Sequence, residues 1–399
     1  MNGRYSVAIR TIYGSFNFKT FRLKKRSTSD KNLGKPLSDT PFTRKEKAKN
    51  LFDEMGFFRE HFYTVKLAEK CLALVKEVSY RKAKTLLKDL CEIDISTKEI
   101  SRMVKHQANT IVCTQKKQIA NFEENQMISK DKVLTKKVDI YDKNSLETIF
   151  LCDDVCVKQQ KTTRNKQLVI DDSLFGESNI AQNTQNLPSN VKNTETTPPT
   201  KHKTKFFFQR VSLLQTTQKD TYKTIVAGIG VDNTQFVKSC IWTEYGKNTC
   251  LPIVAITDGA TSIKNELYAL FGDNFVHILD WYHLEHKVHQ MMSMISHKVD
   301  KECHVKNILE YLWKGKIQQT ITYLEGIEAK NPQQKVILLT YLNRKSASII
   351  NYEERKNAGK VIGSGRVEKY NDLLVAKRQK YKGCAWTPQG SSDMTIINT

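Results

Sequence analysis

Apolar residues recur at helical spacing through most of residues 43–110. FFREHFYTVKLAEKCLALVKEV places Phe, Leu and Val at i, i+3 and i+4 with no Pro or Gly, which predicts an amphipathic helix. In SYRKAKTLLKDLCEIDISTKEISRMVKHQAN (79–109), Tyr80, Ala83, Leu86, Leu87 and Leu90 make one stripe, and residues 91–95 break it. Ser96 and Glu99 then form an S-x-x-E capping box for a second helix. That helix puts Ile100, Met103 and Val104 on one face and Lys98, Arg102, Lys105 and His106 elsewhere. Two helices joined by a short turn, the second capped and basic, fit a helix-turn-helix; plain helix packing leaves the same pattern. Residues 111–145 read as a further charged helix and a connector.

The pattern then changes period. SLETIFLCDDVCVKQQK (145–161) is apolar and β-branched and predicts a strand. Residues 161–204 are rich in Asn, Thr, Gln, Ser and Lys, a composition too polar to bury a core, so a disordered insertion is expected there. Strand signals return in FFFQRVSLL, TIVAGIGVD, VKSCIWTEYG and LPIVAITDG. TSIKNELYALFG is an amphipathic helix, and NFVHILDWYHL (274–284) reads as one more strand. Residues 285–359 are helical in pattern, and a basic helix runs from 366 to 382. Strands followed by strand-helix-strand and a last helix predict an α/β fold, one mixed sheet covered by helices. The expected organisation is a basic arm at 1–50, a helical domain at 51–144, a catalytic core at 145–284 and 360–390, and a helical insertion at 285–359.

Charge sharpens this picture. The 399 residues carry 64 Lys+Arg against 42 Asp+Glu, a net +22, which implies a polyanionic partner, most often nucleic acid. Residues 1–50 alone hold thirteen Lys/Arg against three Asp/Glu, as a solvated or phosphate-touching arm would. No apolar run approaches the roughly 20 residues of a membrane span, and the first residues have no signal-peptide core. The nine scattered cysteines, with no CxxC pair, read as reduced cytosolic thiols.

Three acidic positions stand out by context. Asp153, with Asp154 beside it, follows Ile149-Phe150-Leu151-Cys152; Asp258 follows Ile253-Val254-Ala255-Ile256-Thr257 and precedes Gly259; Glu368 begins a helix after Gly363-Ser364-Gly365. Carboxylates at the ends of buried strands lie where open α/β sheets gather ligands. Clustered carboxylates repel unless cations neutralise them, and hard oxygen donors without His or Cys suit Mg²⁺ or Mn²⁺. Two such ions can activate a hydroxyl and stabilise the leaving oxygen of a phosphodiester. Turn chemistry alone also places Asp-Gly and Gly-Ser-Gly at such points.

These blocks resemble bacterial insertion-sequence transposases with an RNase H-like core and a DDE triad, most nearly the Lre and Kra groups and more distantly the Mutator type. IVAITDGATSIKNELYALFGDNFVHILDWYHLEHKV looks like the family's segment around the second aspartate, which ends in a D-x-x-H or C-x-x-H element. IGSGRVEKYNDLLVAKRQKYKGCAW looks like the segment around the third acid, and LCDDVCVKQQK like the first catalytic strand. The resemblance implies Asp153, Asp258 and Glu368 as the triad, holding two Mg²⁺ or Mn²⁺ ions. Asp154 remains an alternative first ligand, less favoured because the family often has Gly there. Asp280 is the alternative second acid, less favoured because Asp258 ends the strand before the helix. The short stretch after the last expected helix also suggests a shortened copy.

Asp280, His283, His286 and His289 could be read as a zinc site, but no Cys accompanies them, and a supporting or packing role suits Asp280 and His283 better. Trp281 and Tyr282 fit core packing better than base stacking. Lys369, Lys377, Arg378 and Lys380, on the helix of Glu368, are candidate phosphate contacts beside Lys98, Arg102 and Lys105. The expected function is metal-dependent DNA cleavage and strand transfer. Its partners would be the element's terminal inverted repeats and target DNA, its setting the bacterial cytoplasm and nucleoid, and its working form a homo-oligomeric synaptic complex. The alternatives are an RNase H-like nuclease that only hydrolyses and an inactive or domesticated DNA-binding derivative.

Overall fold

The computed structural model describes residues 2–23, 49–50, 63–126, 131–161, 205–215, 222–228, 234–380 and 383–399. The insertion expected at 161–204, apart from residue 161, and part of the first expected helix lie outside these residues. The N-terminal stretch is not a plain arm. β1 (Asn2–Thr11) and β2 (Gly14–Leu23) pair antiparallel as a hairpin, and β3 (Lys49–Asn50) joins β2. Arg10 pairs with Glu99, and Thr64 N–H donates to Arg10 O at 2.9 Å, so the hairpin is fastened to the helices that follow.

Three helices come next: α1 (Val65–Glu77), α2 (Tyr80–Cys91) and α3 (Thr97–Gln126). The predicted capping box forms, with Glu99 N–H donating to Ser96 Oγ and Ser96 N–H to Glu99 Oε2, both at 3.1 Å. Two departures matter. The capped helix, α3, runs for 30 residues and absorbs the helix expected further on. Its buried residues Ile100, Met103, Val104 and Ala108 belong to the hydrophobic cluster that also covers one face of the central sheet, so these helices share the core rather than building their own.

The central sheet has five strands in the order β6-β5-β4-β7-β8: β4 (Thr148–Lys158), β5 (Phe206–Gln215), β6 (Tyr222–Gly228), β7 (Ile253–Thr257) and β8 (Val276–Leu279). β4, β5 and β6 pair antiparallel, whereas β4, β7 and β8 pair parallel. A three-strand meander continued by parallel strands on the other side of the first is compatible with an RNase H-like core. The return from β6 to a parallel β7 requires a crossover, normally a helix. This explains why residues 237–246, which read as a strand, lie mostly in α4 (Thr234–Tyr245), where Val237 and Ile241, one turn apart, are buried. α5 (Thr261–Phe271) joins β7 to β8 on the same face.

The strand read to residue 284 ends at Leu279, because Asp280 caps α6 (Trp281–Ile295). Helices follow where the pattern is helical: α7 (Lys301–Trp313), α8 (Ile317–Gly326), α9 (Pro332–Lys345) and α10 (Tyr352–Asn357). α11 (Gly365–Asn371) continues through a π turn (Asp372–Ala376) into α12 (Lys377–Gln379). Sequence reasoning missed α13 (Pro388–Asn398), whose residues Ser391 to Ile397 are buried; its many small polar positions hid it. Gln379 Nε2 donates to Thr395 Oγ1 at 2.8 Å, and Gln209 Nε2 to Ser391 Oγ at 3.0 Å, so hydrogen bonds cross that polar interface.

Candidate active site

Alternation along β4 decides which neighbouring aspartate goes where. Ile149, Leu151, Val155 and Val157 point into the core under α1–α3, α6 and α11, while Phe150 and Cys152 point into the core under α4 and α5. Asp153 shares the first face and Asp154 the second. Asp154 accepts two parallel hydrogen bonds from its cross-strand partner Arg210, Nε at 2.8 Å and Nη2 at 2.7 Å. The Arg210 guanidinium is buried and also pairs with the buried Glu266 of α5. Asp154 is therefore occupied as a structural counter-ion on the far side of the sheet.

Leu151 and Ile256 are the last pair of the β4–β7 ladder, so Asp153, which lies in the middle of β4 rather than at its end, and Asp258 stand two residues beyond in matching register. Thr257 pairs with Leu279, the last residue of β8, which sets Asp280 one step beyond that strand. Because β7 lies between β4 and β8, Asp258 neighbours Asp153 and Asp280 stands further out. The Asp258 turn is closed by Ala260 N–H donating to Asp258 Oδ1 at 2.8 Å. Gly259 is needed there: its φ is +77°, and a Cβ would meet Leu279 Cδ1 at 2.8 Å.

The helix of Glu368 docks on this edge by two ties. Asn371 Nδ2 donates to Asp153 Oδ2 at 2.7 Å. Asp280, fully buried, caps α6 by accepting from Tyr282 N–H at 2.7 Å and His283 N–H at 3.1 Å through Oδ1. Its Oδ2 accepts from both the N–H and the hydroxyl of Ser364, the residue before α11. Asp280 is thus a clasp between the starts of two helices.

His283 stands among the acids. Its Nδ1 lies 3.6 Å from Asp280 Oδ2 and 3.8 Å from Glu368 Oε1, ion-pair rather than hydrogen-bond distances. Among the described residues, Asp280, His283 and Glu368 are the group of ligand-type side chains whose atoms come within 4.8 Å of one another. Pairing with Asp280 lifts the His283 pKa to about 9 against the cost of burial, with the charges of Asp153 and Glu368 adding to the rise. Burial pushes Asp153 up to about 6; the Asp154 N–H opposes this, the Asp258 charge adds to it, and His283 opposes it. Burial next to a second carboxylate thus disfavours the charged form of Asp153, a cost that a bound cation would offset. Asp153, Asp258 and Glu368 carry hard oxygen donors of the kind that Mg²⁺ or Mn²⁺ takes, but the described residues whose ligand atoms gather within 4.8 Å are Asp280, His283 and Glu368.

His286 and His289 are exposed and outside this group, which leaves the zinc reading without its further ligands. Lys98, Arg102, Lys105, Lys369, Lys377 and Lys380 are exposed, Lys377 beside Glu77 at 2.7 Å. Arg378 departs from the expectation of a phosphate contact. It is buried, donates to Val75 O at 2.7 Å and lies over the rings of Tyr80 and Trp386, so it joins α12 to α1 and α2 rather than facing phosphate. A basic run on a helix does not reveal which turn faces inward; here Arg378 is drawn in where its helix crosses α1, while Lys377 stays exposed beside Glu77. Sequence reasoning also passed over Asn371, whose only signal is its place one turn after Glu368.

No family model and no curated protein matches the chain. Among solved structures, it is similar to a chain of the Drosophila P element transposase strand transfer complex. That similarity has 10% identity and a TM-score of 0.24, over 86% of this chain and 79% of that chain. Overlap this low carries no argument about what the chain does. No described helix is long and apolar enough to cross a membrane.

Proposed function

We propose that this chain is a DDE-type transposase that cleaves DNA at the ends of an insertion sequence and joins the freed 3′-hydroxyl to target DNA. The observation that carries the reading is the matching register of Asp153 and Asp258 on adjacent parallel strands, with the helix of Glu368 tied to Asp153 through Asn371. In this reading Asp153, Asp258 and Glu368 hold two Mg²⁺ or Mn²⁺ ions, which when bound supply an activated hydroxyl and neutralise the leaving oxygen. The protein's own part is positioning. The Asp280–Ser364 clasp sets where Glu368 begins its helix, Gly259 lets the Asp258 turn close, and the Asp154–Arg210 pair keeps the other face of β4 fixed. Lys98, Arg102 and Lys105 contact the terminal repeats, and Lys369 and Lys380 the phosphates nearer the site. The working form is a homo-oligomer assembled on paired ends in the bacterial nucleoid.

The test is Glu368→Gln, which keeps size and hydrogen bonding but removes one negative charge. End cleavage, strand joining and duplex binding are measured in parallel with Mg²⁺ and with Mn²⁺. The proposal expects loss of both chemical steps and retained binding. Full cleavage by the variant removes Glu368 from the site. Cleavage without joining by the unmutated protein makes it a nuclease, and binding without cleavage makes it a DNA-binding derivative.

A further inference from the structure

The neighbouring aromatics at the start of α6 part company. Trp281 is buried edge-on against Trp313, with ring centroids 4.8 Å apart, and beside Tyr352 at 5.0 Å. Tyr282 is 58% exposed. A lone exposed tyrosine needs no explanation, but this one has a built seat. A Cβ on Gly363 would lie 2.6 Å from Tyr282 Cδ2 and 2.7 Å from Cε2, so only glycine lets the ring lie there. Gly363 is buried and has no left-handed φ, so its backbone angles do not demand glycine; the ring does. The backbone beneath is held as well, because Tyr282 N–H donates to the buried Asp280. The next residue, His283, is the one that approaches Glu368. An aromatic ring is therefore held, partly open to solvent, at the junction of the two helices that carry the acidic cluster.

We propose that Tyr282 is a stacking platform for an unpaired nucleobase next to the scissile phosphate. This rests on the strand-transfer reading and adds to it a residue that acts on the base rather than on the phosphate. Where a strand end is drawn out of regular duplex geometry, unstacking its base is costly unless another π face receives it. A preorganised ring supplies that face without sequence preference.

The test pairs variants of the full chain with a set of DNA ends in which each nucleotide flanking the cleavage point is made abasic in turn. Tyr282→Ala is expected to lower cleavage of the intact end roughly tenfold to a hundredfold. The loss should disappear on the one substrate that lacks the stacked base, and Tyr282→Phe and Tyr282→Trp should restore activity. A purely structural role would leave the same loss on every substrate, and that result overturns the proposal. Equilibrium binding to the same substrates, in Ca²⁺ to prevent turnover, separates the two readings. If the unmutated protein binds ends but does not cleave them, the transposase reading fails, and stacking still stands or falls on whether the Tyr282→Ala binding loss vanishes at one abasic position. Absence of any DNA binding overturns both.

Discussion

Asn371 donates to Asp153 at 2.7 Å, so the helix that brings Glu368 is anchored on the strand that brings the first aspartate. The anchor uses one oxygen of Asp153, and the other accepts the N–H of Asp154 at 2.8 Å. Each oxygen retains lone-pair capacity for a further ligand. Asp153 is thereby aimed and partly buried without the charged partner that Asp154 has in Arg210.

The two aspartates should separate on mutation. Asp153→Asn is expected to fold normally and to lose metal-dependent cleavage by roughly a thousandfold or more. Asp154→Asn is expected to cost about 1–3 kcal/mol of stability, because Arg210 loses a charged acceptor while keeping Glu266, and to retain cleavage. Urea unfolding and an end-cleavage assay on both proteins check this. Cleavage by Asp153→Asn together with its loss in Asp154→Asn would exchange the assignments.

Asp280 should behave as a clasp. Asp280→Ala removes the cap of α6 and leaves the buried Ser364 N–H and hydroxyl without their acceptor. The expected loss is about 2–4 kcal/mol, read from denaturant midpoints at unchanged slope. Unchanged stability would make Asp280 one more free carboxylate of the cluster.

His277 predicts an acid-sensitive component of stability. Its ring lies between Thr257 Oγ1 at 2.9 Å and Ser348 Oγ at 2.8 Å, and burial, then the nearby Lys264 and Lys345, lower its pKa to about 4. Between the unfolded value near 6.5 and about 4 the unfolded chain binds the extra proton. The contribution is thus fully present above about pH 6.5 and is lost as pH falls toward 4, amounting to about 3 kcal/mol at most. His277→Gln should flatten the stability profile between pH 4 and 7 relative to the unmutated chain. Parallel profiles would show that His277 does not titrate this way.

The basic residues should fall into two groups. Reversing charge at Lys98, Arg102 and Lys105 should weaken end binding and reduce the slope of log affinity against log salt by roughly 0.9 for each phosphate no longer neutralised. Arg378→Ala should leave that slope unchanged and lower the melting temperature, since its guanidinium is buried over Tyr80 and Trp386. An unchanged salt slope after all three reversals would make α3 a packing helix only.

Local pattern determined much of this molecule. The capping box at Ser96 and Glu99, the helical run through 285–359 and the runs that become β4, β5 and β7 follow from periodicity and turn chemistry, which act over a few residues. The same reading could place Asp153, Asp258 and Glu368 only at the ends of elements. What it left open depends on partners distant in sequence. Residues 237–246 are helical because β7 must run parallel to β4. Asp153 and Asp154 are equivalent as letters and differ because alternation sends one toward Asn371 and the other toward Arg210, 56 residues away. Arg378 turned from a surface cation into a buried one because α1 crosses its helix. Tyr282 stayed exposed while Trp281 was buried because Gly363, 81 residues on, lies under one ring, and Trp313 and Tyr352 surround the other. Sequence periodicity records which face of an element is apolar; only the packed structure decides which partner that face meets, and so which of two like side chains is left to bind.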